Sequence, residues 1–199
     1  MLPAVKRWLG QTWLRLHGWR LEGPVPEPRR FVLLMAPHTS NWDAVFMLAL
    51  GYVYEIRIEW MVKDSLFFPP MGWLLRALGG IPINRRASHG VVGQMVDAFA
   101  RRDELILGVP PEGTRTRSTH WKSGFYEIAR TAGVPIVMGF LDFGKKVGGM
   151  GPVLQPSGDV VADMDRIRAF YADIAGLHPG EFTPPRLKLE DAPRVTSDR

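Results

Sequence analysis

Apolar positions along the chain fall into two patterns, and their alternation predicts the fold class. Stretches at residues 31–36, 56–62, 104–109 and 135–143 have the length and the β-branched or aliphatic content of strands. A shorter one at 79–83 runs into the basic loop Asn84-Arg85-Arg86. Between them lie segments with helical spacing: one starting near Asn41, one over 91–99 with Val92, Met95, Val96 and Phe99 on one face, and others over 124–131 and 161–175. Residues 144–149 read as a turn into a further strand near 152–154, antiparallel to its predecessor. Strands alternating with helices predict an α/β fold, a mostly parallel central sheet flanked by helices. In such a sheet the loops that follow strands gather at one edge, where ligands bind. The apolar run Phe67-Phe68-Pro69-Pro70-Met71-Gly72-Trp73-Leu74-Leu75 is expected in the core; exposed, it would form an aromatic patch.

The first residues form a different pattern. Leu2, Val5, Trp8, Leu9, Thr12, Trp13 and Leu16 recur at a spacing of three to four, interleaved with Lys6, Arg7 and Arg15. An aromatic-aliphatic helix face with basic flanks suits a membrane surface. The same face also suits packing onto the domain, and the pattern does not choose between them. A Pro- and Gly-rich connector at 23–28 follows. The organisation expected is an amphipathic N-terminal helix over 1–22, one domain over 23–177, and a Pro- and charge-rich surface tail over 178–199.

Composition narrows the chemistry. With 199 residues, 46% of them hydrophobic, the chain can bury one core. It has no cysteine, which removes disulfides, thiolate metal sites and Cys nucleophiles. The net charge of +5 is concentrated: residues 1–30 carry six Lys or Arg against two acids, and residues 76–130 carry nine against five. Two basic zones suggest anionic partners. The basic residues form no stripe and no binding motif, so no nucleic acid is expected. No stretch approaches the roughly 20 apolar residues that span a bilayer, and no signal-peptide pattern appears. A cytoplasmic protein, peripheral to the inner face of the membrane, is the expectation.

The sharpest chemical signal lies where the first strand stops at Pro37. Five positions along a continuous helix would turn His38 and Asp43 about 140° apart. With His38 on the loop and Asp43 in the first helical turn, the carboxylate can fold back to the ring, fixing one nitrogen and freeing the other as a base. The plainer alternative is a helix start capped by Ser40 or Asn41, with Asp43 favouring its positive end.

Downstream blocks add to this reading. His38-Thr39-Ser40-Asn41-Trp42-Asp43, Gly80-Ile81-Pro82-Ile83-Asn84-Arg85, Pro111-Glu112-Gly113-Thr114-Arg115 and Val134-Pro135-Ile136-Val137 occur in that order over residues 31–140, with Lys122 and Gly124 after the third. Together they resemble the glycerolipid acyltransferase family, whose best-known members acylate 1-acylglycerol-3-phosphate. Pro37 and Asn84 depart from the family pattern, and the second leaves acceptor preference open.

The resemblance implies an acyltransferase that moves a fatty acyl group from a thioester donor to a lysophospholipid hydroxyl. His38 would be the general base and Asp43 its orienting partner. Arg85, Arg115 and Lys122 would hold a phosphate, with Gly113 and Thr114 in the same substrate-binding block. Glu112 would position Arg115 or a glycerol hydroxyl. A thioester is already activated, so no metal and no cofactor is implied beyond acyl-CoA or acyl carrier protein as co-substrate. Two other classes fit parts of the sequence: a metal-dependent hydrolase using His38, Asp43, His89 and His120, and a non-catalytic membrane-binding module. The first lacks a usual zinc spacing.

Overall fold

The computed structural model describes residues 2–27 and 29–191. Its centre is a seven-stranded sheet of β1 (Arg20–Glu22), β2 (Arg30–Ala36), β3 (Ile58–Lys63), β4 (Gly80–Ile83), β5 (Leu105–Val109), β6 (Ile136–Asp142) and β7 (Val147–Leu154). The order is β1-β7-β6-β2-β5-β3-β4, and only the β6–β7 pair is antiparallel. Six helices flank it: α1 (Leu2–Leu16), α2 (Trp42–Val53), α3 (Met71–Ala77), α4 (Gly90–Ala100), α5 (Gly124–Ala132) and α6 (Val160–Tyr171). The mostly parallel α/β architecture is the one the alternating pattern predicts.

β2 reads as an unbroken apolar run because both of its faces are covered. Val32, Leu34 and Ala36 enter a core with Phe99, Phe125 and Ile167. Phe31 and Leu33 enter a second core with Leu14, Phe46 and Leu50, under α1 and α2. Leu33 is fully buried, and its truncation to Ala would cost about 2–5 kcal/mol.

α1 packs on α2 at Gly10, where an added Cβ would lie 2.6 Å from the carbonyl oxygen of Ala49. Leu14 is buried on that side, while Val5, Leu9 and Trp8 (62% exposed) face outward. The helix therefore divides its apolar residues between the domain and the solvent. Among the described residues, no helix is long and apolar enough to cross a membrane.

Three expectations change. The 67–75 run is not core: Phe68 is 55% and Trp73 70% exposed, with Leu66, Met71 and Leu74 also at the surface. The cause is position, since α3 connects β3 to the edge strand β4 and only Gly72 of the helix is buried. The strand expected near 152–154 begins at Val147, because glycines at 148, 149 and 151 let strands approach closely. A Cβ on Gly149 would collide with the carbonyl of Glu22 on β1. The segment expected as a surface tail buries Thr183 and Leu187 completely and pairs backbone groups with the domain. Residues 192–199 lie outside the described part.

Candidate active site

β2 stops because Pro37 has no N–H to extend the ladder. The loop that follows delivers three consecutive N–H groups, and two buried carboxylates collect all of them. Asp43, in the first turn of α2, accepts from Thr39 N at 2.8 Å and Ser40 N at 2.9 Å, both on Oδ2. Glu112 Oε1 accepts from His38 N at 2.6 Å. The same Asp43 Oδ2 lies 3.2 Å from His38 Nδ1, and Oδ1 is buried without a protein partner. His38 thus turns Nδ1 to a buried carboxylate and leaves Nε2 for the cavity it lines, its side chain 19% exposed. None of the three loop N–H groups is left to stabilise an oxyanion. Ser40 Oγ accepts from Trp42 N, whereas Asn41 makes no side-chain cap.

β5 ends at Pro110-Pro111, and the next loop supplies most of the other residues. Gly113 sits at φ 68°, a left-handed conformation that a side chain would strain, and an added Cβ would meet Lys122 Cγ at 3.0 Å. Lys122 is held there by its backbone N–H to Pro111 O at 2.7 Å. Arg85 follows β4 on a loop braced by Gln94, which bonds both backbone groups of Asn84. Arg85, Arg115 and Lys122 have exposed side chains.

These loops share one cavity of about 1320 Å³. His38, Asp43, Arg85, Thr114, Arg115 and Lys122 all line it, with Gly113 in the wall. Val45, Leu48, Ile58, Met61 and Leu78 line much of the rest. A cavity lined by both cationic and apolar side chains accommodates an amphiphile whose head is anionic.

Glu112, expected among the substrate contacts, does not line this cavity. It is 1% exposed, and its second oxygen accepts from Thr183 N at 3.0 Å. Both oxygens are therefore committed to backbone donors, so it reaches neither Arg115 nor a substrate hydroxyl. Burial raises its pKa from 4.5 against those two donors, with the Asp43 charge adding to the rise. His89 and His120 also sit elsewhere: His120 Nε2 meets Asp191 at 3.0 Å, and His89 Nε2 lies 3.9 Å from Asp97. They do not join His38 and Asp43 in a metal-binding group. Thr183 is not legible among the residues, because its contribution is a main-chain N–H that no side-chain pattern marks.

Comparison with known proteins agrees with the fold. The solved 1-acyl-sn-glycerophosphate (LPA) acyltransferase of Thermotoga maritima is similar, with a TM-score of 0.56 and 18% identity over 79% of this chain and 70% of that one. The 1-acyl-sn-glycerol-3-phosphate acyltransferase of Escherichia coli K12 is 32% identical over 111 residues, 53% of this chain and 44% of the relative. The Streptococcus pneumoniae enzyme of that name is 29% identical over 115 residues, 57% of this chain and 42% of the relative. The matched stretch thus spans less than half of each curated relative. The family model described as Acyltransferase matches residues 20–138, more than half of the chain, and includes His38, Asp43, Arg85, Glu112, Arg115 and Lys122. The chain belongs to the glycerolipid acyltransferase family.

Proposed function

We propose that this protein transfers a fatty acyl group from a thioester to the free hydroxyl of a 1-acylglycerol-3-phosphate. The observation that carries the reading is His38 Nδ1 at 3.2 Å from buried Asp43, in a cavity lined by Arg85, Arg115 and Lys122 and by apolar side chains. The acceptor phosphate lies between Arg85, Arg115 and Lys122, where guanidinium forks pair phosphate oxygens and the ammonium adds a point charge. Held there, the acceptor presents its hydroxyl to His38 Nε2. As the hydroxyl oxygen attacks the thioester carbonyl, its proton passes to Nε2, and Asp43 stabilises the imidazolium. Collapse of the tetrahedral adduct breaks the C–S bond, and the departing sulfur takes that proton to leave as a thiol. No covalent enzyme intermediate is needed.

The acceptor is an amphiphile, and its source is a membrane surface. The outward Trp8, Val5 and Leu9 of α1, with Lys6 and Arg7 beside them, suit the interfacial zone. Phe68, Trp73 and Leu74 at and before α3 are also exposed, and the cavity wall takes in Pro3 and Lys6 of α1 as well as Ala77 and Leu78 at the end of α3.

One assay matrix tests the reading. Acyl-CoA and acyl carrier protein donors are crossed with lysophosphatidic acid, lysolipids lacking a free phosphate, and amines. Turnover confined to the phosphate-bearing acceptor is the expected result. Activity on phosphate-free acceptors alone would remove the acceptor assignment, and vesicle binding without turnover on any pair would favour a non-catalytic module.

A further inference from the structure

The segment over residues 176–187 lies wholly outside the stretch shared with the family model, yet it touches both sides of the site. It meets the His38 loop first. His178 N donates to Thr39 Oγ1 at 3.1 Å. At Gly176 the fit is closest: a Cβ there would stand 2.8 Å from Thr39 Oγ1 and 3.0 Å from Pro37 Cβ. The segment then reaches the carboxylate that holds His38, through Thr183 N to Glu112 Oε2. From the same residue it grips the loop leading to Lys122. Thr183 Oγ1 accepts from Ser118 N at 2.9 Å, and its carbonyl accepts from Trp121 Nε1 at 2.7 Å. Arg186 O takes the Trp121 N–H, and Glu181 Oε2 takes that of Arg117.

We infer that residues 176–187 are a strap that sets the His38 loop against the loop bearing Arg115 and Lys122, with Gly176, Thr39, Glu112 and Thr183 as positioning residues. The inference rests on the acyl-transfer reading for its kinetic consequence. The physical case is that β2 and β5 end side by side but their loops share few bonds of their own. Glu112 belongs to one loop and bonds His38 of the other, and the strap supplies its second donor. Loosening the strap therefore shifts the base relative to the phosphate-binding cations, and a displacement of about 1 Å costs on the order of a hundredfold in rate.

The test is a double-mutant cycle on Gly176→Ala and Thr39→Ala, with Thr39→Val as the isosteric loss of the His178 acceptor. Gly180→Ala, on the same segment with no atom within 4 Å of its added Cβ, is the control. All are assayed well below their measured melting temperatures. Gly176→Ala is expected to lower kcat about tenfold or more with the donor KM unchanged, and Thr39→Val a few-fold. The double mutant should be far from additive, because Thr39→Ala removes the atoms the new methyl strikes. The imidazole resonances of His38 should move in Gly176→Ala and Thr39→Val and stay in place in Gly180→Ala. This readout stands even if the wild type turns over none of the substrates tried, which would defeat the acyl-transfer reading instead. Should Gly176→Ala fail to fold, Thr39→Val and the His38 resonances decide. Unmoved resonances with wild-type kcat, or equal losses in Gly180→Ala, would overturn the inference.

Discussion

The floor and the rim of this site are built in opposite ways. On the floor, Asp43 and Glu112 are almost wholly buried, and between them they accept from four main-chain N–H groups. On the rim, Arg85, Arg115 and Lys122 are exposed, and the loops that carry them are braced through the backbone rather than through the charged ends. The proton transfer proposed here needs atoms placed within tenths of an ångström, which suits partners locked by bonds that leave no rotamer free. Recognition of a phosphate tolerates mobile donors that close on arrival. The difference teaches that burial of these carboxylates fixes the His38 loop in place, as the exposed charges of the rim do not.

The largest effect that would break this contrast is at the floor. His38→Ala is expected to lose at least about a hundredfold in kcat, and Asp43→Asn much of the same, because the amide can hold the ring yet favours the wrong tautomer. Circular dichroism should show both folded. A folded His38→Ala enzyme turning over at near wild-type rate removes the base from the mechanism.

At the rim the losses should be smaller and selective. Arg85→Ala and Arg115→Ala are each expected to lower kcat/KM for the phosphate-bearing acceptor by about ten- to a hundredfold. On a phosphate-free acceptor both should change little, and Arg85→Lys should recover only part of the loss. Equal losses on the two acceptors would make these arginines structural and erase the distinction.

The outer apolar surface should respond in binding alone. Trp8→Glu is expected to weaken association with anionic vesicles about tenfold, from lost apolar burial and added like charge. Turnover of dispersed substrate should hold. Flotation assays at two salt concentrations measure the first, and an acceptor below its critical micelle concentration measures the second.

The smallest effect is a pH dependence. Burial raises the Glu112 pKa above 4.5, so the folded chain holds this proton more tightly than the unfolded one. The stability this group contributes is present below the unfolded value and is lost as pH rises through the folded value. The stability gap between wild type and Glu112→Gln should therefore shift against the wild type as pH rises, followed by urea unfolding from about pH 4 to pH 7. An unchanged gap would mean that the bonds from His38 and Thr183 cancel the cost of burial.

How much of this was legible in the residues depended on whether side chains or main chain carried the signal. β2, β5 and β6 read plainly because strands covered on both faces must be apolar throughout. The loops at their ends were legible too, since Pro37, Pro110 and Pro111 mark where ladders stop. β1 was missed: Arg20-Leu21-Glu22 is a three-residue edge strand without a pattern. The 67–75 run misled because apolarity reports a preference for leaving water and says nothing of what will cover it. The strap was invisible, since Gly176 contributes room and Thr183 a main-chain donor.

The strand order also bears on how the chain is made. β2 is the centre of the sheet, yet Arg30 pairs with Leu105 on one side and Val32 with Ile136 on the other. At about 5–20 residues per second, the ribosome takes roughly 4–15 s to reach even the first of those partners. Throughout that wait the central strand of the sheet has no neighbour to pair with. α1 and α2, the first helices to come off, pack on each other and on Phe31 and Leu33 and can shield one side of it. The helix pair that flanks the finished cavity is thus also the early cover for the nascent sheet, and a slow codon run before residue 105 would lengthen that exposure.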